Sequence, residues 1–145
     1  ETGSGEMSLP AGSANQIIDL GFVPRQDKYD AYAAATLLCQ PSTNESFSFV
    51  VMESWLAGTP VLVHGDCPVT VEHVRKGNGG LYFTNYAEFA ATITYFFHHS
   101  QMAQQMAAQG RRYVHTHYTW EKVVGRYQAL IADIAAALER ELVSL

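Results

Sequence analysis

Cysteine is scarce: Cys39 and Cys67 are the two in 145 residues, and their spacing makes neither a disulfide framework nor a metal site. They fit a reducing compartment, where a buried cysteine acts as a small hydrophobe, so a cytoplasmic location is expected. No apolar run approaches the roughly 20 residues of a membrane span, and the opening residues show no basic-then-apolar pattern. Excess positive charge is missing too. Nine Lys and Arg against fourteen Asp and Glu give a net charge of −5, with six His, a balance that argues against a nucleic acid partner. No GxGxxG follows a strand-like run, which weakens a dehydrogenase reading. The acidic cluster that a response regulator carries at its first strand end is absent, and no internal repeat or low-complexity stretch is visible.

What is present suits one α/β domain. The chain is 48% hydrophobic, 12% aromatic and 16% charged, and its length allows a sizeable core. Residues 1–15 are polar and turn-rich and read as a disordered tail, with a folded domain over residues 16–145. Within it, Gln16 to Phe22 is a short β-type run closed by Gly21. Arg25 to Ala35 places Tyr29, Tyr32 and Ala33 on one helical face. Thr36 to Gln40 is strand-like, Phe49 to Ala57 is helical with Gly58 as its C-cap, and Pro60 to His64 is a β-branched strand. Pro68 to Lys76 reads as a loop plus one helical turn. Asn78-Gly79-Gly80 turns into a strand at Leu81 to Phe83, and Asn85 with Glu88 forms a capping box. The helix that follows carries Tyr86, Phe89, Ile93, Phe96 and Phe97 on one stripe. Ser100 caps the next, and a last helix repeats apolar residues from Trp120 to Leu138.

Nearly continuous apolar strands alternating with helices predict a Rossmann-like parallel sheet of about four strands, covered by helices on both faces. In such sheets ligands lie beyond the C-terminal ends of the strands. The loops expected there are Val23 to Arg25, Pro41 to Phe47, His64 to Val71 and Thr84 to Asn85. One of them holds Glu45, and the helix behind it holds Glu53. Eight residues span about 12 Å at a helical rise, comparable to a sugar nucleotide. A helix N-terminus lies between the two carboxylates, and its free N–H groups favour phosphate. Two acceptor-only groups bracketing an anion site suit a polyhydroxyl ligand joined by a diphosphate.

The residues Gly21-Phe22-Val23, Tyr32-Ala33, Gln40-Pro41-Ser42, Glu45-Ser46-Phe47, Glu53, Gly58-Thr59-Pro60-Val61, Gly79-Gly80-Leu81 and Tyr118-Thr119-Trp120 occur in that order. From about Asp19 to Tyr127 the chain thereby resembles the C-terminal, donor-binding domain of retaining glycosyltransferases of family 4 (glycosyl transferases group 1), which have the GT-B fold. The resemblance implies a hexosyltransferase fragment that binds a nucleotide-diphospho-sugar such as a UDP- or GDP-sugar as substrate, with no separate cofactor. It implies that Glu45 sits by the transferred sugar as the catalytic-site carboxylate and that Glu53 takes the ribose hydroxyls. Backbone N–H groups of Ser46, Phe47 and Ser48 would meet the sugar, those of Phe49 and Val50 the phosphate, and Val23, Pro24 and Arg25 the base. Transfer would proceed with retention by front-face attack, so neither glutamate need be a covalent nucleophile. Two departures stand out. Many members carry Gly where Ser48 stands. The phosphate-clamping Arg and Lys are expected upstream of residue 16, in a part of the domain this chain lacks, and the N-terminal acceptor domain is expected to be missing as well. Donor binding without transfer is the expectation for the chain alone. The alternative is a non-catalytic truncated domain acting as an interaction or regulatory module.

Other groups read more plainly. Arg25 is equally a solvated neighbour of the Asp27–Lys28 pair, and His64 is a loop histidine packing its ring. His98-His99 and His115-x-His117 lie at helix ends, where histidine meets terminal carbonyls. Cys67, His73 and Asp66 offer no clean metal spacing. Phe89, Phe96, Phe97 and Trp120 are expected in packing. The last helix has both signs of charge on its polar face, which argues against an anionic bilayer face. Its apolar side leaves homodimerisation open, as is peripheral membrane contact of the full enzyme.

Overall fold

A computed structural model describes residues 16–143, with side-chain burial to residue 140. The chain runs α1 (Arg25–Ala34), β1 (Leu38–Gln40), α2 (Phe49–Ala57), β2 (Val61–His64), α3 (Pro68–Gly77), β3 (Gly80–Phe83), α4 (Tyr86–His98), α5 (Ser100–His117) and α6 (Trp120–Val143). The three strands form one parallel sheet in the order β1-β2-β3. Leu38 pairs with Val61, and Val61 with Gly80. All three strands therefore end on the same side, and the segments after Gln40, His64 and Phe83 gather there.

The central strand shows why the sheet is covered twice. Side chains alternate across a strand, so Val61 and Val63 face one way and Leu62 the other. Val61 and Val63 pack with Val51, Met52 and Trp55 of α2, Val74 of α3, and Tyr113 and Val114 of α5. Leu62 packs with Phe83, Phe96 of α4 and Ala103 of α5. The parallel α/β architecture with helices on both faces is thus as the strand pattern predicts.

Trp55 anchors the larger cluster. Its indole is fully buried, and its Nε1 donates to the Gly79 carbonyl at 2.8 Å. Glycines leave the space around it: a Cβ on Gly79 would collide with the ring, and one on Gly110 would lie 2.5 Å from it. At the other end of α2, Gly58 adopts φ +91° and donates to the carbonyls of Ser54 and Trp55, terminating the helix in the left-handed conformation that glycine tolerates best.

Several expectations need correction. Among the described residues the sheet has three strands, not four, because Gln16–Phe22 forms no strand. Ile18 and Leu20 are exposed and Phe22 is wholly so, and an apolar run without a neighbouring ladder has nothing to bond its backbone. Pro68–Gly77 is a full ten-residue helix with Pro68 in its first turn, where the missing N–H costs nothing. Ser100 opens α5 rather than capping it, since His99 is the N-cap. Asn85 does cap α4, accepting from the Glu88 amide at 3.0 Å. The Glu88 carboxylate, however, reaches back to the amide and hydroxyl of Thr84 at 2.7 and 2.8 Å rather than to the cap residue's own amide. Phe96 is buried, but Phe97 and Trp120 are 65% and 84% exposed. They sit on helical faces that no described element covers. The expected tail at residues 1–15 lies outside the described residues. No described helix is long and apolar enough to cross a membrane.

The glycines around Trp55 give a prediction whose sign is informative. Gly→Ala inside a helix normally stabilises by about 1 kcal/mol, while overpacking a core costs about 1–3 kcal/mol. Gly110→Ala should therefore lower the urea midpoint. The same change at Gly125 of α6, which has nothing within 4 Å of a new Cβ, should not lower it.

Candidate functional site

The loop after β1 and the first turn of α2 form the centre of the site. Gln40, the last residue of β1, points its amide at the loop and donates from Nε2 to Glu45 Oε1 at 2.9 Å. Glu45 therefore stands in a loop at the C-terminal end of the sheet, tied to β1 by this bond. It precedes α2 rather than lying on it, so a helical rise does not measure its separation from Glu53. Ser46 is exposed, Phe47 half-buried and Ser48 buried.

Ser48 is the N-cap of α2 but makes no side-chain cap bond. Its backbone is left-handed, at φ 63° and ψ 70°, and its buried hydroxyl has no hydrogen-bond partner. The helix that starts there keeps donors at its N-terminus. The Val51 amide takes the Ser48 carbonyl at 3.1 Å, while the amides of Phe49 and Val50 precede any intrahelical acceptor. A positive end with free N–H groups is what an anion binds.

Glu53 lies one turn further along α2, on the side facing α1. Lys28 Nζ donates to Oε1 at 2.7 Å, the Tyr29 hydroxyl to the same oxygen at 3.2 Å, and the Tyr32 hydroxyl to Oε2 at 3.4 Å. The bond to Glu53 raises Lys28 above its ordinary pKa. Burial, then the Glu53 charge, raises Tyr32. A carboxylate offers about four acceptor positions, so three donors orient Glu53 and leave room for a further hydroxyl. Thr59 ties the same region together by donating to the Tyr32 carbonyl at 2.5 Å.

The Val23–Arg25 segment leads into α1. Pro24 is its N-cap, and Val23 is half-buried. The Arg25 guanidinium lies 5.7 Å from the centroid of the Tyr29 ring, which connects it to Glu53 through one side chain. The structure places Val23 to Arg25 at the start of α1, with Arg25 linked to Glu53 through Tyr29, and Glu45 to Val50 in the loop before α2 and its first residues. Lys28, Tyr29 and Tyr32 as partners of Glu53, and Gln40 as the holder of Glu45, were not foreseen. Tyr29 and Tyr32 were visible on one helical face, but a face assigned to packing hides its hydroxyls.

The histidines behave as residues of structure. His64 sets its ring edge against Phe83 at 5.0 Å and accepts the Asp66 amide at 3.2 Å. His99 Nδ1 meets the Tyr95 carbonyl at 2.9 Å, and His117 closes α5 against Tyr113 at 4.9 Å. Among the described residues no three His, Cys, Asp or Glu side chains cluster as a metal site would need. An apolar groove of about 840 Å³ opens beside the loop, between Phe47, Phe49 and Tyr118 and the exposed face of α6 at Trp120, Tyr127 and Leu130.

The fold is a parallel α/β domain with Glu45 and the start of α2 beyond the C-terminal ends of its strands. Comparison makes this specific: the sequence model of the glycosyl transferases group 1 matches residues 6–113, and the chain belongs to that family. It is 29% identical over 143 residues, 95% of its length, to a D-inositol 3-phosphate glycosyltransferase of Acidothermus cellulolyticus. It is 23% identical over 112 residues, 77% of its length, to glycosyltransferase 1 domain-containing protein 1 of Xenopus tropicalis. In each case it spans about a third of the relative, 32%. Among solved structures, sucrose-phosphate synthase from Thermosynechococcus elongatus superimposes with a TM-score of 0.73 at 21% identity, covering 86% of this chain and 31% of that one. WaaG, a glycosyltransferase involved in lipopolysaccharide biosynthesis, gives 0.55 at 26% identity, over 66% and 26%.

Ser48 supplies a direct test of the local geometry. A left-handed non-glycine residue costs about 1–2 kcal/mol, and its buried hydroxyl is unsatisfied. Ser48→Gly should therefore raise stability by about 1 kcal/mol, read as a higher urea midpoint at unchanged slope.

Proposed function

We propose that this chain is the donor-binding part of a retaining glycosyltransferase that moves a sugar from a nucleotide-diphospho-sugar to an acceptor. The observation that carries the reading is the N-terminus of α2 between two oriented carboxylates, Glu45 held by Gln40 and Glu53 held by Lys28, Tyr29 and Tyr32. In this reading Glu53 receives the ribose hydroxyls and Glu45 those of the transferred sugar. The amides of Phe49 and Val50 meet the diphosphate, those of Ser46 to Ser48 the sugar, and Val23, Pro24 and Arg25 the base. Hydroxyls are neutral donors, and a bond to a charged acceptor contributes about 1.5–3 kcal/mol.

The chemistry that follows is positioning and charge stabilisation. As the glycosyl–phosphate bond breaks, negative charge grows on the leaving phosphate, and fixed N–H dipoles at a helix start stabilise it without reorganising. Glu45, beside the sugar, would orient its hydroxyls and favour positive charge developing on the ring. The acceptor would be held by a further domain, and this chain alone would bind donor without transferring it.

A second reading has its own observation. The stripe Trp120, Val124, Tyr127, Ile131, Ile134 and Leu138 on α6 is exposed throughout, as expected of a module that associates through its last helix. Sedimentation would separate the two: association lost on Tyr127→Glu, with no nucleotide bound, would favour that module.

Calorimetric titration with UDP, GDP, ADP and their sugars tests the donor reading. Binding by the wild type should weaken roughly tenfold or more in Glu53→Ala, the loss of one charge-assisted hydrogen bond. No heat with any nucleotide at millimolar concentration would reject it.

A further inference from the structure

The site leaves one buried titratable group unused. His73, on α3, is 7% exposed and reaches the loop between Glu45 and Ser48 from behind. Its Nδ1 lies 3.3 Å from the Tyr113 hydroxyl, which lies 3.1 Å from that of Tyr118. The Phe47 ring stands edge-on to His73 at 5.2 Å and to Tyr118 at 5.1 Å. Phe47 is thus clamped between an imidazole and a phenol that are joined through a second phenol. The next residue, Ser48, is the N-cap of α2, so the clamp fixes where the free amides of the helix start point.

We propose that His73 is the positioning residue of the 45–50 loop, and that protonating its imidazole loosens the clamp on Phe47 and with it the donor-contacting amides. What the loop binds rests on the donor-site reading above; that the loop answers to His73 does not.

The groups facing the imidazole set the sign. Burial lowers the His73 pKa below its ordinary value. The Phe47 backbone carbonyl and the Glu72 charge pull it up by less, and Lys76 pushes it down. Tyr113 is itself held neutral, its pKa raised first by burial and then by Tyr118, with Arg126 opposing. His117 packs on Tyr113 rather than on His73. A histidine with a depressed folded-state pKa contributes stability above its unfolded value, about 6.5, and loses it as pH falls through the folded value. The clamp therefore holds at neutral pH and fails in acid.

Amide hydrogen exchange of the full 145-residue chain at pH 7.5 and 5.0, corrected for intrinsic rates, reads this directly. Exchange at residues 46–50 should rise roughly threefold or more in acid, while amides of β2 and α4 stay level. His73→Gln, which keeps a neutral hydrogen-bonding side chain, should retain the protection and lose the pH dependence. The same response in His73→Gln as in the wild type would overturn the proposal. If that variant does not fold, NMR titration of the wild type decides instead, because the His73 ring and the Phe47 amide must then share one midpoint, and different midpoints overturn it. UDP affinity should fall over the same range. No UDP binding at any pH would reject the donor reading while leaving the exchange result standing.

Discussion

The fully buried indole of Trp55 joins the parts of this domain. From α2 it donates to the Gly79 carbonyl just before β3, rests against Gly110 of α5 and meets Tyr113 edge-on at 5.9 Å. The glycines let backbone approach both sides of the ring, and these contacts oppose sliding or rotation of α2. That rigidity gives the first turn of α2 its use. Glu53 and Trp55 lie two residues apart, so fixing the indole fixes the carboxylate on another face, and the free amides at Phe49 and Val50 are aimed by the same contact.

The two carboxylates are held by different elements. Glu45 is tied to the sheet through Gln40, whereas Glu53 is tied to α1 through Lys28, Tyr29 and Tyr32. Three elements thus converge on one helix end, at the side of the sheet where parallel strands leave their ligands. Membership of the glycosyl transferases group 1 explains why that convergence exists. The chain covers about a third of each relative's length.

Much of this was legible in the sequence, and the exceptions have physical causes. The Phe49–Ala57 helix with its Gly58 cap, and the β-branched strand after it, are locally self-consistent, and the structure reproduces them. Gln16–Phe22 has strand composition, but pairing is a property of neighbours and cannot be read from the run itself. Pro68–Gly77 was underestimated because Glu72, Arg75 and Lys76 look like a loop. Its buried side, Thr70, His73, Val74 and Gly77, contains only one large hydrophobe. Periodicity found the apolar stripe of α6 but could not name what covers it, and Trp120 lies exposed on that stripe. Lys28 read as a solvated partner of Asp27, and only the packing of α1 on α2 shows that it bonds Glu53.

We propose the first turn of α2 as the place where a nucleotide diphosphate binds, and amide chemical-shift mapping with UDP is the decisive measurement. The largest shifts should fall on Ser46 to Val50, with a second group in the first turns of α1 around Arg25 and Lys28. Shifts confined to α4 or to the exposed face of α6, with the start of α2 unmoved, would contradict it.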